Sequence, residues 1–198
     1  MTRLARLVAV LATVLALQAT AEASTTSSVQ VTYYGAYDND PPGSTAIAHP
    51  VLHSGAGGTG TYADPLTFAS PAGAGAYPWG TIIYVPIVQK YFLREDECAT
   101  SWTAPNGCGA VSHVDLYVGN PSTDRAVVAC ENALTTDDNQ TIIVDPAPDL
   151  TYDATTIWNQ ATGACMKPHS TATPDPSSQP SPTRPSGRPR HSQRRRRR

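Results

Sequence analysis

Basic residues are scarce over most of this chain. Within residues 24–167, four basic residues stand against fourteen acids, so the net charge there is −10 with histidine neutral. A strongly acidic segment is a poor match for the phosphate backbone of a nucleic acid, which we therefore exclude as its ligand. Residues 168–198 carry a net charge of +7 instead. That charge suits either a solvated end of the chain or contact with an anionic surface.

Several catalytic and metal-binding patterns are also absent. The sequence has no C-x-x-C, no H-E-x-x-H and no G-x-S-x-G, which removes the usual signatures of zinc sites, zinc proteases and serine hydrolases. The glycine-rich run 55–60 has no lysine or predicted helix after it, so it does not predict a phosphate-binding loop. We expect neither a metal nor a cofactor.

No apolar run is long enough to span a bilayer. The run 7–17 follows Arg3 and Arg6 and precedes Ala21-Glu22-Ala23, which is typical of a cleaved secretory signal and short of the about 20 residues that a membrane helix needs. An uncleaved anchor is the alternative. We expect a secreted, extracellular and monomeric protein with a signal peptide (1–23), one domain (24–167) and a disordered Pro/Ser/Arg-rich tail (168–198).

Four cysteines remain in this secreted domain. An even number in an extracellular protein favours two disulfides. We favour Cys98–Cys108 and Cys130–Cys165, which would close one loop and tie down the last segment. The two other pairings remain open, and zinc binding is the weaker alternative because no histidine lies at ligand spacing from a cysteine.

Short β-branched and aromatic runs replace long amphipathic helices. Strands are predicted at 29–34, 62–69, 81–85, 88–94, 113–118 and 141–144, separated by segments rich in glycine and proline. Residues 126–134 predict either a strand or a short helix, and residues 152–158 an extended segment. The pattern indicates an all-β barrel or sandwich.

Acids next to these strands are candidate catalytic groups. Alternate residues of a strand share a face, so His113 and Asp115 are expected to point the same way. Asp96 stands just before Cys98, where a disulfide would hold it. Two carboxyl groups on neighbouring strands could cleave a glycosidic bond. The alternative is that both acids cap loops or pair with Arg94 or Arg125.

Aromatic residues are frequent, with nine tyrosines and three tryptophans in the chain. Such side chains stack on sugar rings, and an acidic, tyrosine-rich groove suits a neutral polysaccharide. Core packing is the alternative use for several of them. Trp102, in the polar loop 99–107, is the aromatic that we most expect to be exposed.

Three motifs resemble double-psi β-barrel proteins when taken in order. They are Thr32-Tyr33-Tyr34-Gly35, Asp96-x-Cys98 and His113-Val114-Asp115-Leu116. The group that they resemble contains expansins, family-45 endoglucanases, barwin-like defence proteins and the rare lipoprotein A type of lytic transglycosylase. The runs 58–65 and 91–98 look similar to secreted proteins of this group from fungi and actinobacteria. The resemblance covers residues 29–134.

The resemblance implies a six-stranded double-psi barrel with short or no helices. It implies Asp115 as a general acid and Asp96 as a second acid. With the aromatic argument, the expected substrate-binding residues are Thr32, Tyr34, Tyr62, Asp64, Trp102 and His113.

One departure affects the expected activity. In the endoglucanases an aspartate that serves as base closely follows the T-x-Y motif, whereas Gly35 and Ala36 follow it here. Expansins lack that base too, and they loosen walls without hydrolysis. Our first expectation is therefore an expansin-like protein that binds cellulose, chitin or peptidoglycan. The alternatives are a glycan-cleaving enzyme with Asp115 as acid and a non-catalytic barwin-like protein.

Overall fold

The computed structural model describes residues 24–71, 77–98, 107–109, 112–119 and 123–170. The expected signal peptide, most of the expected tail and Trp102 lie outside these residues. The described elements, in chain order, are β1 (Thr25–Tyr34), β2 (Leu66–Pro71), β3 (Ile82–Val85), β4 (Lys90–Cys98), β5 (His113–Tyr117), α1 (Val127–Leu134), β6 (Gln140–Val144), β7 (Trp158–Asn159) and β8 (Ala164–Cys165).

Six of these strands close into a barrel, which confirms the predicted all-β class. Their order around the barrel is β1-β5-β2-β4-β3-β6. Two pairs are parallel, β1 with β5 and β2 with β4, and the other four are antiparallel. Closure leaves these six strands with a partner on both sides, so their backbone groups are used within the barrel.

Alternating apolar side chains fill the barrel. On β1, Val29, Val31 and Tyr33 are buried while the residues between them are partly exposed, as expected for a strand with one face on the core. Val114 and Leu116 of β5 and Phe92 of β4 have no exposed surface.

Strand β4 runs further than predicted. The three acids 95–97 were expected to follow the strand, but they lie within it, and Glu95 has no exposed surface. The strand continues because both its neighbours, β2 and β3, pair with it and Cys98 is tied to Cys108. Segment 152–158 is not a strand apart from Trp158, which begins β7.

Residues 127–134 form the helix that was one of the two alternatives. Val127, Cys130, Glu131 and Leu134 are its buried residues, and their spacing is that of one helix face. This face lies over the end of β1, because Val127 Cγ1 is 3.6 Å from the position that a Cβ on Gly35 would take.

Both expected disulfides are present. Cys98–Cys108 closes the loop between β4 and β5, and Cys130–Cys165 ties α1 to β8. Loops of these lengths are stabilised by about 3–4 kcal/mol in the chain-entropy model.

Within the described residues, no helix has the length and apolarity to cross a membrane. The same residues contain no group of three or more histidines, cysteines and acids arranged to hold a metal ion.

Gly58 packs against the backbone before β2, and alanine there is expected to destabilise the fold. Its φ is +97°, and an added Cβ would lie 2.1 Å from the carbonyl oxygen of Pro65. We expect Gly58→Ala to lower the free energy of unfolding by at least about 3 kcal/mol, measured by chemical denaturation.

Gly57→Ala is the matched control for this substitution. A Cβ at Gly57 meets its nearest atom at 3.5 Å, so this variant should unfold close to the wild type. Equal stability of the two alanine variants would contradict the packing described for Gly58.

Candidate functional site

A groove of about 500 Å³ opens on the barrel beside β1, β4 and β5. Four of the residues expected to act lie in it, namely Thr32, Tyr34, Asp96 and Asp115. The remaining lining residues are Tyr33, Asp38, Asn39, Asp40, Ala46, Ile47, Ala48, Ala69, Glu97, Cys98 and Gly107. Fold closure thus brings together side chains that are more than 80 residues apart in sequence.

The small residue Ala69 separates the two expected catalytic acids. On β2 it pairs with Asp96 of β4 on one side and with Asp115 of β5 on the other. Neighbouring strands lie about 4.8 Å apart, so the backbones of Asp96 and Asp115 are about 10 Å apart. Because Ala69 is short, space remains between them for a ligand.

Asp115 has the environment of a proton donor. Its side chain is half-buried at the groove, and loss of water raises its pKa to about 7 against a hydrogen bond from Thr32 that favours the anion. The charges of Asp38 and Asp96 contribute to this raised value. The carboxyl group is therefore protonated in mildly acidic solution, where an ordinary aspartate is ionised.

Thr32 connects Asp115 to His113. Its Oγ1 lies 2.6 Å from Asp115 Oδ1 and 2.8 Å from His113 Nε2. His113 Nδ1 lies 2.5 Å from the carbonyl oxygen of Cys108, which only accepts, so Nδ1 carries the proton and Nε2 is an acceptor. Burial lowers the pKa of His113 and keeps the ring neutral.

This arrangement suits both protonation states of Asp115. When Asp115 is protonated, it can donate to Thr32, whose hydroxyl then donates to His113 Nε2. When Asp115 is ionised, the Thr32 hydroxyl donates to the carboxylate instead. A single rotating hydroxyl can thus hydrogen-bond to Asp115 in either protonation state.

Asp96 has a different environment. It is 6% exposed and accepts hydrogen bonds from the Tyr34 hydroxyl and from the backbone N–H groups of Ala48 and Glu97. Burial raises its pKa, and these bonds oppose the rise. The hydrogen bond from Ala48 fixes one wall of the groove. Asp96 therefore has a structural role in addition to lining the groove.

Sequence reasoning missed Glu131 altogether. It projects from α1, is 3% exposed, and its carboxyl group lies within hydrogen-bonding reach of the Asp38 side chain. Oε1 lies 2.8 Å from the position of a Cβ on Gly35, so Glu131 occupies space that a side chain at residue 35 would need. Burial and then the nearby charges of Asp38 and Asp115 raise its pKa to about 8.

Asp38 lies between Glu131 and the groove. Its Oδ1 accepts the backbone N–H of Gly35 at 2.9 Å, and its side chain lines the groove. Asp38, Asp115 and Glu131 therefore form one electrostatically coupled group, in which the charge of Asp38 raises the pKa of both Asp115 and Glu131.

Comparison with known proteins assigns a family. A family model described as the DDB_G0273701 N-terminal domain matches residues 26–166. A protein from Dictyostelium discoideum, named "Uncharacterized protein DDB_G0273701/DDB_G0273221", is 41% identical over 160 residues, which cover 79% of this chain and 67% of that protein. The chain belongs to the DDB_G0273701 N-terminal domain family. No solved structure matches it.

Three residues expected to bind substrate are not among the groove's lining residues. Tyr62 is 39% exposed and lines a separate cavity with Gly80 and Pro146. Asp64 accepts a hydrogen bond from His53 at 3.0 Å. His113 lies behind the groove, buried against Thr32.

Arg94 does not pair with the two expected catalytic acids. Its guanidinium donates to the carbonyl oxygens of Tyr77 and Pro71 and lies 4.2 Å from the ring centre of Trp79. The alternative in which Asp96 or Asp115 pairs with Arg94 is therefore wrong.

A second cluster, formed by Glu95, His53 and Asp64 and here called the latch, ties loop 46–53 to the barrel. Glu95 accepts the backbone N–H groups of Val51, Leu52 and His53 and the ring of His53. Burial opposes ionisation of Glu95, but these bonds outweigh it and lower its pKa. Because residues 46–48 line the groove, this latch holds one of its walls.

His53 makes the latch depend on pH. Desolvation alone would lower its pKa, but hydrogen bonds to Asp64 and Glu95 outweigh this and raise it. The contribution of His53 is full below its ordinary pKa of about 6.5 and is lost as pH rises through the raised value. The contribution of Glu95 is present above its ordinary pKa and is lost as pH falls through the lowered one.

His53→Gln is therefore expected to destabilise the protein most in mildly acidic solution. We expect a loss of about 2 kcal/mol near pH 6, from denaturation midpoints, and a smaller loss at higher pH. His49→Gln, at an exposed histidine of the same loop, should show no such trend. A loss for His53→Gln that is constant with pH would contradict a charged latch.

Proposed function

We propose that the protein is a secreted double-psi β-barrel protein that binds cell-wall polysaccharide in the groove and cleaves it with Asp115 as general acid. The observation that carries this proposal is the raised pKa of Asp115, about 7, in an open groove. A general acid works best when its pKa lies near the working pH. The meeting of the three motif segments at one groove supports the resemblance to the endoglucanases and expansins.

The proton of Asp115 goes to the glycosidic oxygen as the bond between that oxygen and the anomeric carbon breaks. The new carboxylate accepts the Thr32 hydroxyl, which is within 2.6 Å. In hydrolysis a water attacks the anomeric carbon and gives a proton to a second carboxylate, for which Asp38 lies in the groove. In a lytic transglycosylase the substrate's own hydroxyl attacks instead of water and gives its proton to the Asp115 carboxylate, so no second carboxylate is needed.

Wall loosening without hydrolysis is the second candidate, and one observation favours it. Gly35 and Ala36 stand where the endoglucanases carry their base, and Glu131, the carboxyl that lies against Gly35, is almost fully buried. A barwin-like scaffold with no ligand has less support, because the groove is open. The two disulfides favour an extracellular location for any of these functions.

Product analysis tests the proposal. The secreted chain and its Asp115→Asn variant are incubated with insoluble cellulose, chitin and peptidoglycan, and soluble sugars are identified by mass spectrometry. Products from the wild type alone are the expected result, and a 1,6-anhydro end would mark a lytic transglycosylase. Retention on a polymer without products would favour loosening, and equal products from both proteins would overturn the role of Asp115.

A further inference from the structure

We propose that a second cavity, separate from the groove, binds a small organic acid whose carboxylate pairs with Lys90. The cavity lies between the start of β4 and segment 152–157 and has a volume of about 290 Å³, near the lower end of the range for small-molecule sites. It shares none of its described lining residues with the groove, so the inference goes beyond the proposed function.

Lys90 is buried without an acid as partner. It is 2% exposed and lines the cavity, and a lysine is rarely buried to this degree unless it is paired. Lys90 takes part in none of the ion pairs among the described residues. Its ammonium group donates one hydrogen bond, to the carbonyl oxygen of Asp153 at 2.6 Å, and lies 5.0 Å from the ring centre of Tyr152. An ammonium group has three N–H donors, so two of them have no acceptor in the described part of the chain.

The carboxylate of Asp153 is engaged by other groups. One oxygen lies 2.8 Å from His169 Nε2, and the other accepts the backbone N–H of Thr155 at 2.7 Å. Burial lowers the pKa of Lys90, and the charge of Asp153 opposes this only in part. Lys90 is the one charged group among the described lining residues. The negative charge that would balance it therefore has to come from a ligand.

The Lys90 side chain is fixed before any ligand binds. Its stem packs against Gly60, because a Cβ on that glycine would lie 3.0 to 3.2 Å from Lys90 Cδ, Cγ and Cβ. The carbonyl oxygen of Asp153 holds the ammonium end. A cation that is already held in place loses little conformational freedom on binding, which favours affinity.

The other walls of the cavity favour a carboxylate on a compact apolar body. Leu66, Val118 and Ile157 are lining residues and are buried, so they can cover an apolar group. One ammonium group balances the single charge of a carboxylate, whereas a phosphate of up to about −2 would bring in unbalanced charge. The ligand class is therefore a small monocarboxylic acid.

Lysine-selective NMR tests this inference. The chain has two lysines, Lys90 and Lys167, so labelling lysine Cε with ¹³C gives one signal for the cavity and one for an exposed control. The secreted chain is titrated with benzoate, with benzamide, which has the same shape without the charge, and with inorganic phosphate. We expect benzoate to shift the Lys90 signal with a Kd on the order of 1 mM and benzamide to bind at least about tenfold more weakly. The Lys167 signal should not move.

Two pairs of variants, followed through the NMR signals of benzoate, locate the site. Lys90→Met keeps an unbranched stem and removes the charge, so it should abolish binding, whereas Lys167→Met should leave binding unchanged. Ala154→Trp adds bulk at an exposed lining residue and leaves Lys90 intact. It should block binding, and Thr155→Trp, at the exposed neighbour outside the lining, is its matched control.

Three results would overturn the inference. The first is a Lys90 signal that does not respond to benzoate, which would mean that the cavity holds only water. The second is equal affinity for benzoate and benzamide, because the charge of Lys90 would then have no part in binding. The third is a response to phosphate without one to benzoate. None of these outcomes depends on Asp115, so the inference and the proposed function can fail separately.

Discussion

Asp115→Asn is expected to lower the rate of product release by ~10²–10⁴-fold on whichever wall polymer the wild type cleaves. The amide cannot give a proton to the leaving oxygen, although it keeps the shape of the carboxyl group and its contact with Thr32. Affinity for the polymer should change little, because the substitution removes no bulk from the groove. Initial rates and pull-down on the same polymer measure the two effects.

The pH profile of the wild type provides the complementary result. Because the proposed general acid is the protonated form of Asp115, whose pKa is about 7, we expect the rate to fall as pH rises through about 7. Asp137→Asn is the control for the loss of an exposed acid. A profile that falls only near pH 4, or an Asp115→Asn variant with full activity, would contradict the assignment.

Glu131→Gln is expected to stabilise the protein, and increasingly so as pH rises. Burial and the charges of Asp38 and Asp115 raise the pKa of Glu131 from 4.5 to about 8. Folding then favours the protonated carboxyl group. The protein's free energy of unfolding is therefore unaffected by Glu131 ionisation below about pH 4.5 and decreases as pH rises from there to about 8. Glutamine keeps the shape and does not titrate. The gain should approach the order of 4 kcal/mol at pH 8.

Chemical denaturation across that pH range measures the effect. Asn132→Gln, at the exposed neighbouring residue of α1, controls for substitution on the helix. A Glu131→Gln variant that loses stability at every pH would show instead that Glu131 is ionised and paired in the folded protein. The outcome matters for the groove, because Glu131 belongs to the same coupled group as Asp115.

The barrel could be predicted because its strands are short, β-branched and separated by turn-forming residues. Alternation placed His113 and Asp115 on one face, and both do contact Thr32. The end of β4 could not be predicted in this way. Acids normally mark the end of a strand, and only the loop 46–53, distant in sequence, explains why Glu95 is buried.

The position of Glu131 was even harder to predict from the neighbouring sequence. It lies in a helix whose spacing was only one of two alternatives, and nothing next to it in sequence indicates a carboxyl group beneath the groove. The signal that could have identified it is the helical reading of residues 127–134, which places Glu131 on the buried face with Val127 and Leu134. Its position over Gly35 depends on how α1 packs on β1, which no local pattern specifies.

Direct titration of the Asp115 carboxyl group tests the central claim most closely. The side-chain carboxyl carbon of ¹³C-labelled protein is followed by NMR, and the Asp115→Asn variant assigns its signal. We expect a midpoint near pH 7, the value that loss of water and the charges of Asp38 and Asp96 give to this group. A midpoint near the ordinary aspartate value of about 3.9 would contradict it, because Asp115 would then have no proton to donate.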